Sequence, residues 1–254
     1  MHNDLIYDVG AHHGHDTAHY LSSGYRVVAV EAFPDSLSIL QKRFPTEIET
    51  RQLTLVPLAV GPMAGDVEFF VSRSSPGACS LMADEVDDID HVIKVPCVSF
   101  ASILETHGVP YYLKSDIQGA DRHILESLNP NDLPQYLSWE MDRDQLECLK
   151  IVHDLGYRRF KLIDQHSFLE MDRKRTLRHR AIRKLKRISS RLVGRRSSEE
   201  LLAKFPPHSS GPFAEHTDGR WRSYDLVYGQ WDKFSRQYPN RQERPGWYDC
   251  HATK

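Results

Sequence analysis

The stretch LIYDVGAHHGHDTAHYLSSGYRVVAVE, residues 5–31, contains the pattern from which the fold prediction starts. A short β-favouring run leads through a glycine-bearing turn, residues 10–14, into a helix that Asp16 and Thr17 cap. The second apolar run, residues 27–30, is too continuous to leave one face in water, which is typical of a buried parallel strand. The stretch therefore predicts a βαβ unit.

The first turn of this unit indicates the class of ligand. Parallel βαβ units bind nucleotide-like ligands at the carboxyl ends of their strands, but a dinucleotide fingerprint needs glycines where this turn has His12 and His15. Asp8 has the wrong charge for a diphosphate and suits a cation. Glu31, twenty-one residues after Gly10, suits the hydroxyls of a ribose. These features favour S-adenosyl-L-methionine, which carries an amino group, a sulfonium and a ribose.

Four motifs in the chain resemble those of class I methyltransferases, and of the FkbM family in particular. They are DVGAHHGHDT from Asp8, VVAVEAFP from Val27, LKSDIQGAD at residues 113–121, and LSWE at residues 137–140. The third looks like the family signature LKIDVEGAE. Gln118 receives little weight as a functional position, because the signature has a glutamate there. The resemblance covers roughly residues 4–164 and, through GPF and WYDCHA, part of the tail.

This resemblance implies a Rossmann-like, doubly wound α/β fold whose mostly parallel, seven-stranded sheet has helices on both faces. It also implies a methyltransferase that uses S-adenosyl-L-methionine and acts on an oxygen of a small molecule, sugar or glycan. Carried onto this sequence, the motifs indicate the following cofactor-binding positions: Asp8, Gly10, Ala11, His12, Gly14, Thr17, Glu31, Ala32, Ala59 and Ser80.

Methyl transfer requires few protein groups, because alignment of the acceptor alone supplies ~7 to 11 kcal/mol. Asp116 is the first candidate to serve the acceptor, since it follows the predicted fourth strand at the ligand edge of the sheet. It could instead cap the next helix or hold the cofactor's amino group. Glu140 is the second candidate. Lys114 could orient a carboxylate or contact the acceptor, or its stem could simply be buried.

No metal site is predicted. His12, His13 and His15 lie within four residues, but side chains on one tight turn rarely converge on a single ion. The four cysteines are scattered without a C-x-x-C pair, which favours isolated reduced thiols.

The remaining sequence continues the alternation of strands and helices. We predict a third strand at residues 53–59, an edge strand or hairpin arm at 66–71, and further strands at 92–98, 111–116, 136–140 and 158–164. The polar residues 72–90 predict a surface loop that folds over the cofactor. The tail predicts a helix at 221–234 and a seventh, antiparallel strand at 247–252, beside the fifth.

We predict three regions: a cofactor-binding core at 1–164, a basic helical insertion and loop at 165–220, and a segment at 221–254 that completes the sheet. Residues 173–196 contain twelve lysines or arginines and no acid, whereas the rest of the chain has an excess of acids. An apolar stripe runs through this segment, which predicts an amphipathic basic helix. Such a helix could dock on the acidic body as a lid, or contact an anionic membrane peripherally.

A nucleic-acid-binding protein, or a nucleic-acid methyltransferase that uses the basic helix, is the alternative function. It is disfavoured because the position after the fourth strand reads Ser115-Asp116-Ile117-Gln118, whereas base methylases usually have an NPPY-like motif there. The chain has no apolar run approaching the ~20 residues of a membrane span and no signal-like N-terminus, so we expect a cytoplasmic protein.

Overall fold

The computed structural model describes residues 2–74, 77, 79–141, 144–171, 205 and 209–254. Its main sheet consists of β1 (His2–Val9), β2 (Arg26–Val30), β3 (Leu53–Val56), β7 (Pro110–Ser115), β8 (Tyr136–Glu140), β9 (Arg159–Asp164), β10 (Arg222–Ser223) and β11 (Tyr248–Thr253). A second sheet consists of β4 (Ala59–Val60), β5 (Gly65–Ser72) and β6 (Ile89–Val98).

The main sheet has the strand order β10-β9-β11-β8-β7-β1-β2-β3. β11 is antiparallel to both of its neighbours, β8 and β9, while β1, β2, β3, β7 and β8 pair in parallel. This confirms the doubly wound, mostly parallel sheet of seven strands, with the seventh beside the fifth. The two-residue β10 extends its edge.

Helices pack on both faces of the sheet. They are α1 (His15–Ser22), α2 (Pro34–Arg43), α3 (Pro45–Glu49), α4 (Phe100–His107), α5 (Asp121–Glu126), α6 (Gln145–Asp154) and α7 (Tyr224–Gln237). One core cluster joins the sheet to α4, α5, α6 and α7, and another joins it to α1 and α2. Proline at the first position of α2 and α3 suits the helix start, since its missing N–H would have no partner there.

Two predicted boundaries differ from the structure. The predicted third strand at residues 53–59 divides into β3 and β4, which belong to different sheets. The break falls at Pro57 and Leu58, where proline cannot donate a ladder hydrogen bond. The helix predicted at 221–234 is α7, which starts at Tyr224 because Arg222 and Ser223 pair with β9.

One face of the main sheet carries a row of buried polar residues. Asp8, Lys114, Ser138, His251 and Lys161 are successive register partners on β1, β7, β8, β11 and β9. Each is at most 4% exposed. We call these five residues the polar row. The opposite face is apolar, with Tyr7, Leu113, Leu137, Cys250 and Phe160 in the larger core cluster.

Residues 209–217 are tied to the face that bears the polar row. The Phe213 ring stacks on Tyr112 with 4.5 Å between ring centroids. The Lys161 ammonium donates to the carbonyl and the hydroxyl of Thr217, at 3.2 and 2.9 Å. The Ser210 N–H donates to the Asp16 carboxylate at 3.0 Å. This segment therefore connects the helix α1 to the far edge of the sheet.

The predicted basic helix at 173–196 lies outside the described residues, and the division into three regions remains a prediction. Among the helices that the structure describes, none is long and apolar enough to cross a membrane.

Candidate functional site

A cleft of about 580 Å³, counted with the space open to solvent, lies at the carboxyl ends of β1, β2 and β7. Six of the predicted site residues line it: Gly10, His12, Glu31, Ala32, Ala59 and Asp116. The sequence therefore identified residues from four separate segments that meet in one cleft.

Gly10 allows two walls of the cleft to meet. Its φ of +79° is in the left-handed region, and a Cβ atom at this position would lie 1.9 Å from the carbonyl oxygen of Asp116. The Gly10 N–H donates to the Val30 carbonyl at 2.9 Å. Any larger residue would separate the turn after β1 from the end of β7.

Glu31 presents its carboxylate to the cleft from the end of β2. One oxygen accepts from the His12 N–H at 2.6 Å, and the other accepts from the Phe33 N–H at 2.8 Å. Burial raises the pKa of Glu31, and these backbone N–H groups oppose the rise. Because each carboxylate oxygen has two lone pairs, both can still accept a hydrogen bond from a ligand. A vicinal diol such as that of ribose matches this pair of acceptors.

The chemistry of the cleft fits S-adenosyl-L-methionine better than a phosphate-bearing cofactor. Among the described residues that line it, there are two carboxylates, Glu31 and Asp116, and neither lysine nor arginine. Cationic groups are therefore favoured over phosphates. The wall formed by Phe33, Leu58, Val60, Phe69 and Leu81 is apolar and suits a flat heterocycle.

Asp116 and Gln118 form the other end of the cleft. The Gln118 side-chain amide donates to Asp116 and to Glu140, at 3.3 Å in both cases. Glu140 thus reaches the cleft through Gln118 and does not line it. Sequence reasoning gave Gln118 too little weight, although its place in the turn after the fourth strand was a signal for the ligand edge.

Lys114 lies beneath this end of the cleft. Its ammonium is 3.1 Å from Asp8, 3.4 Å from Asp16 and 3.7 Å from Asp116. Burial alone lowers the pKa of Lys114, but the three carboxylates outweigh burial and hold the pKa well above its usual value. The ammonium is therefore charged and already surrounded by carboxylates.

These contacts place several candidates behind the cleft. Asp8 is fully buried and also accepts from the Thr17 hydroxyl at 2.6 Å. Asp8, Thr17 and Lys114 were all candidate site residues, but none of them lines the cleft. The Asp8 carboxylate on β1 and the Lys114 ammonium on β7 neutralise each other. Lys114 lies where it can orient the Asp116 carboxylate, one of the roles considered for it, and the cofactor-binding roles of Asp8 and Thr17 remain predictions.

Ala11, Gly14 and Ser80 also lie outside the cleft wall. Ala11 is in the core cluster with α1 and α2, and Gly14 faces Leu40 and Phe44 of α2. The Ser80 hydroxyl donates to the Gln118 carbonyl at 2.8 Å and so supports the turn that carries the Gln118 side chain.

The loop predicted to cover the cofactor does contribute to the cleft. Gly77, Cys79 and Leu81 line it. The loop is tied to the tail by an ion pair between Glu85 and Arg241, at 2.6 Å. Within the described part of the chain, no group of three or more histidine, cysteine, aspartate or glutamate residues has an arrangement that could hold a metal ion.

Comparisons with known families and solved structures give several matches to this chain. Residues 8–159 match the model of the "Methyltransferase FkbM domain" family. No curated protein sequence matches the chain. Among solved structures, methyltransferase FkbM from Methylobacillus flagellatus has a TM-score of 0.45 and 15% sequence identity, over 63% of this chain and 40% of that one.

Two further solved structures match about two thirds of this chain. Precorrin-6y C5,15-methyltransferase from Geobacter metallireducens has a TM-score of 0.38 and 15% identity, over 67% of this chain and 74% of that one. A TehB-like SAM-dependent methyltransferase from Corynebacterium glutamicum has a TM-score of 0.36 and 8% identity, over 64% and 71%.

Proposed function

The chain belongs to the FkbM family of S-adenosyl-L-methionine-dependent methyltransferases, and from this premise we propose that it methylates a hydroxyl oxygen of a small molecule, sugar or glycan. The observation that carries the proposal is the cleft itself, which combines a carboxylate that can accept from a diol, an apolar wall and a second carboxylate, with no lysine or arginine among its described lining. These groups suit the methyl donor on one side and a hydroxyl on the other.

The donor would occupy the part of the cleft between Glu31 and Gly10. S-adenosyl-L-methionine supplies a methyl group that its sulfonium has already activated. Glu31 would accept hydrogen bonds from the ribose hydroxyls, and the apolar wall around Phe33 and Leu58 would hold the adenine. His12 and Gly10 would face the amino-acid part.

The acceptor would occupy the end formed by Asp116 and Gln118. The side chain of Asp116 is 26% exposed, so it can reach a ligand, and Lys114 and Gln118 restrain it from two sides. Glu140 is held at the same end by Gln118. A restrained carboxylate can align a hydroxyl for attack, which is the main requirement of an in-line methyl transfer.

We expect Glu31→Ala to weaken binding of S-adenosylhomocysteine by a factor of about 5 to 150, equivalent to ~1 to 3 kcal/mol, because the ribose hydroxyls lose their acceptors. Titration calorimetry measures the change. Asp35→Ala, an exposed carboxylate at the start of α2, is the matched control and should bind like the wild type. Equal affinity of Glu31→Ala and wild type would rule out the ribose role.

We expect Asp116→Asn to reduce turnover by about 10²- to 10⁴-fold while affinity for S-adenosylhomocysteine changes little, because a group that acts on the acceptor in the transition state affects kcat and leaves donor binding intact. Turnover is measured by transfer of labelled methyl groups to hydroxylated compounds, and affinity by calorimetry. Similar losses in both quantities would instead indicate that Asp116 holds the amino group of the donor.

A further inference from the structure

The tail motif WYDCHA, residues 247–252, brings a third carboxylate to the acceptor end of the site. Asp249 on β11 is the register partner of Glu140 on β8. Because β11 runs antiparallel, its first residues lie at the edge where β7 and β8 end. Asp116 follows β7 at that edge, two residues beyond Lys114. We call Asp116, Glu140 and Asp249 the carboxylate row.

Asp249 has one carboxylate oxygen without a partner. Its Oδ1 accepts from the Gln165 side-chain amide at 2.8 Å, but Oδ2 is buried and has no hydrogen bond in the described structure. The residue is 3% exposed. Leaving a buried acceptor unsatisfied costs ~1 to 3 kcal/mol, so such atoms usually mark a place where a ligand or water binds.

His251 gives a second sign of an unfilled polar site on the same face. It lies two residues further along β11, about 7 Å from Asp249 at the strand spacing. Both of its ring nitrogens are buried without a partner among the described residues, and the residue is 1% exposed. Oδ2 of Asp249 and the two ring nitrogens of His251 are thus buried polar atoms on one face without partners among the described residues, which favours ligand or water atoms beside them.

We propose that Oδ2 of Asp249 receives the proton of an uncharged, hydroxyl-bearing acceptor at the acceptor end of the cleft. The inference rests on the proposed methyl transfer to oxygen. As the acceptor oxygen bonds to the methyl carbon, the carbon–sulfur bond of the donor breaks and sulfur keeps its electron pair. The hydroxyl proton passes to Asp249, directly or through one water, so charge balances.

The charge of the row explains why the acceptor is uncharged. Lys114 is the ammonium nearest to Asp116, and its charge is already shared among Asp8, Asp16 and Asp116. Among the described residues, Lys114 therefore brings one positive charge to a cluster in which Asp116 competes with Asp8 and Asp16. A phosphate or carboxylate on the acceptor would be repelled, because like charges in a poorly hydrated site interact strongly.

The surroundings of Asp249 favour its protonated form, so its carboxylate is a stronger base than an exposed one. Burial raises its pKa well above the usual range, Asp116 raises the pKa further, and the Gln165 amide opposes this. The charged or titratable groups near Asp249 on the packed elements include Lys114, Asp116, Glu140, Asp16, Tyr112 and Lys161, and His251 follows it on β11. Since a base must be deprotonated to act, activity should rise as pH increases through the pKa of Asp249.

Asp249→Asn tests the role, with Asp225→Asn on the exposed start of α7 as the matched control. The transfer of labelled methyl groups is measured at a series of pH values with three acceptors. Two are neutral, myo-inositol and methyl α-D-glucopyranoside, and the third, glucose 6-phosphate, is an anion. We expect the wild type to methylate a neutral probe, and Asp249→Asn to lose about 10²- to 10⁴-fold in kcat/KM together with the acidic limb of the pH profile.

Gln165→Leu provides a second variant that keeps the carboxylate. It should shift the acidic limb to higher pH, because the amide no longer stabilises the charged form of Asp249. In both variants calorimetry should show affinity for S-adenosylhomocysteine within about twofold of wild type, which confirms that the donor site is folded.

Three results would overturn the inference: an unchanged pH profile in Asp249→Asn, preferred methylation of glucose 6-phosphate, or no transfer to either neutral probe by wild type that binds S-adenosylhomocysteine. Failure of the wild type to bind S-adenosylhomocysteine would instead overturn the proposed function. The two failures are therefore distinguishable.

Discussion

Lys114→Met is expected to lower the free energy of unfolding by about 3 to 5 kcal/mol, the usual cost of removing one partner from a buried ion pair. Methionine retains most of the side-chain volume, so the fall in the free energy of unfolding measures the effect of removing the positive charge. Without the ammonium, the buried Asp8 and Asp16 and the partly exposed Asp116 would face each other with no positive charge between them. Urea denaturation followed by tryptophan fluorescence measures the effect.

Lys94→Met is the control for this substitution, because Lys94 is exposed on β6 and its replacement should change stability by less than about 0.5 kcal/mol. Adding Asp8→Asn to Lys114→Met should restore part of the loss, since one of the unpaired carboxylates is then neutral. Equal stability of Lys114→Met and wild type would show that the three carboxylates do not depend on this ammonium.

Acidification is expected to destabilise the protein through His251. Burial, and secondly the positive charge of Lys161, lower the pKa of His251 from 6.5 to about 3 in the folded state. The unfolded chain binds the proton at its ordinary pKa. Stability from the neutral imidazole is therefore complete above pH 6.5 and is lost as pH falls toward 3. Between pH 7 and pH 5 the loss is roughly 2 kcal/mol.

The contribution of His251 is isolated by comparing wild type with His251→Gln at each pH, because the carboxylates that titrate in the same range cancel in the difference. The variant should lose less stability than wild type between pH 7 and pH 5. His166→Gln, at an exposed position, should follow the wild type. Parallel curves for wild type and His251→Gln would mean that the buried imidazole accepts a proton without penalty.

Local signals in the sequence were enough to predict the start of the fold and much of the cleft. The turn at residues 10–14, the helix α1 and the strand that ends before Glu31 follow one another in the chain. Their arrangement can therefore be predicted from local sequence patterns alone. Asp116 could be placed at the ligand edge because all parallel strands of such a sheet end there. These two facts bring Glu31 and Asp116 into one cleft.

The partners of Asp8 could not be predicted, because they depend on the register between strands that are far apart in the chain. Lys114 donates a hydrogen bond to Asp8 from 106 residues further along the chain. Nothing in the short strand around Lys114 indicates that three carboxylates surround its ammonium. A weaker signal was present in the tail. Asp249, His251 and Thr253 alternate with apolar residues, which indicates a strand with one polar face. Asp249 is the member of that face that lies where the parallel strands β7 and β8 end.

The position of β11 has a consequence for the order in which the protein assembles. β8 and β9 follow each other in the chain but do not pair, because β11 lies between them and enters the sheet about 84 residues after β9 ends. During synthesis on the ribosome, both strands therefore emerge with open edges, which are the usual starting points of misassembly. The cleft residues that precede β8 can come together early, whereas Asp249 reaches the same edge of the sheet only after this late and slow long-range pairing.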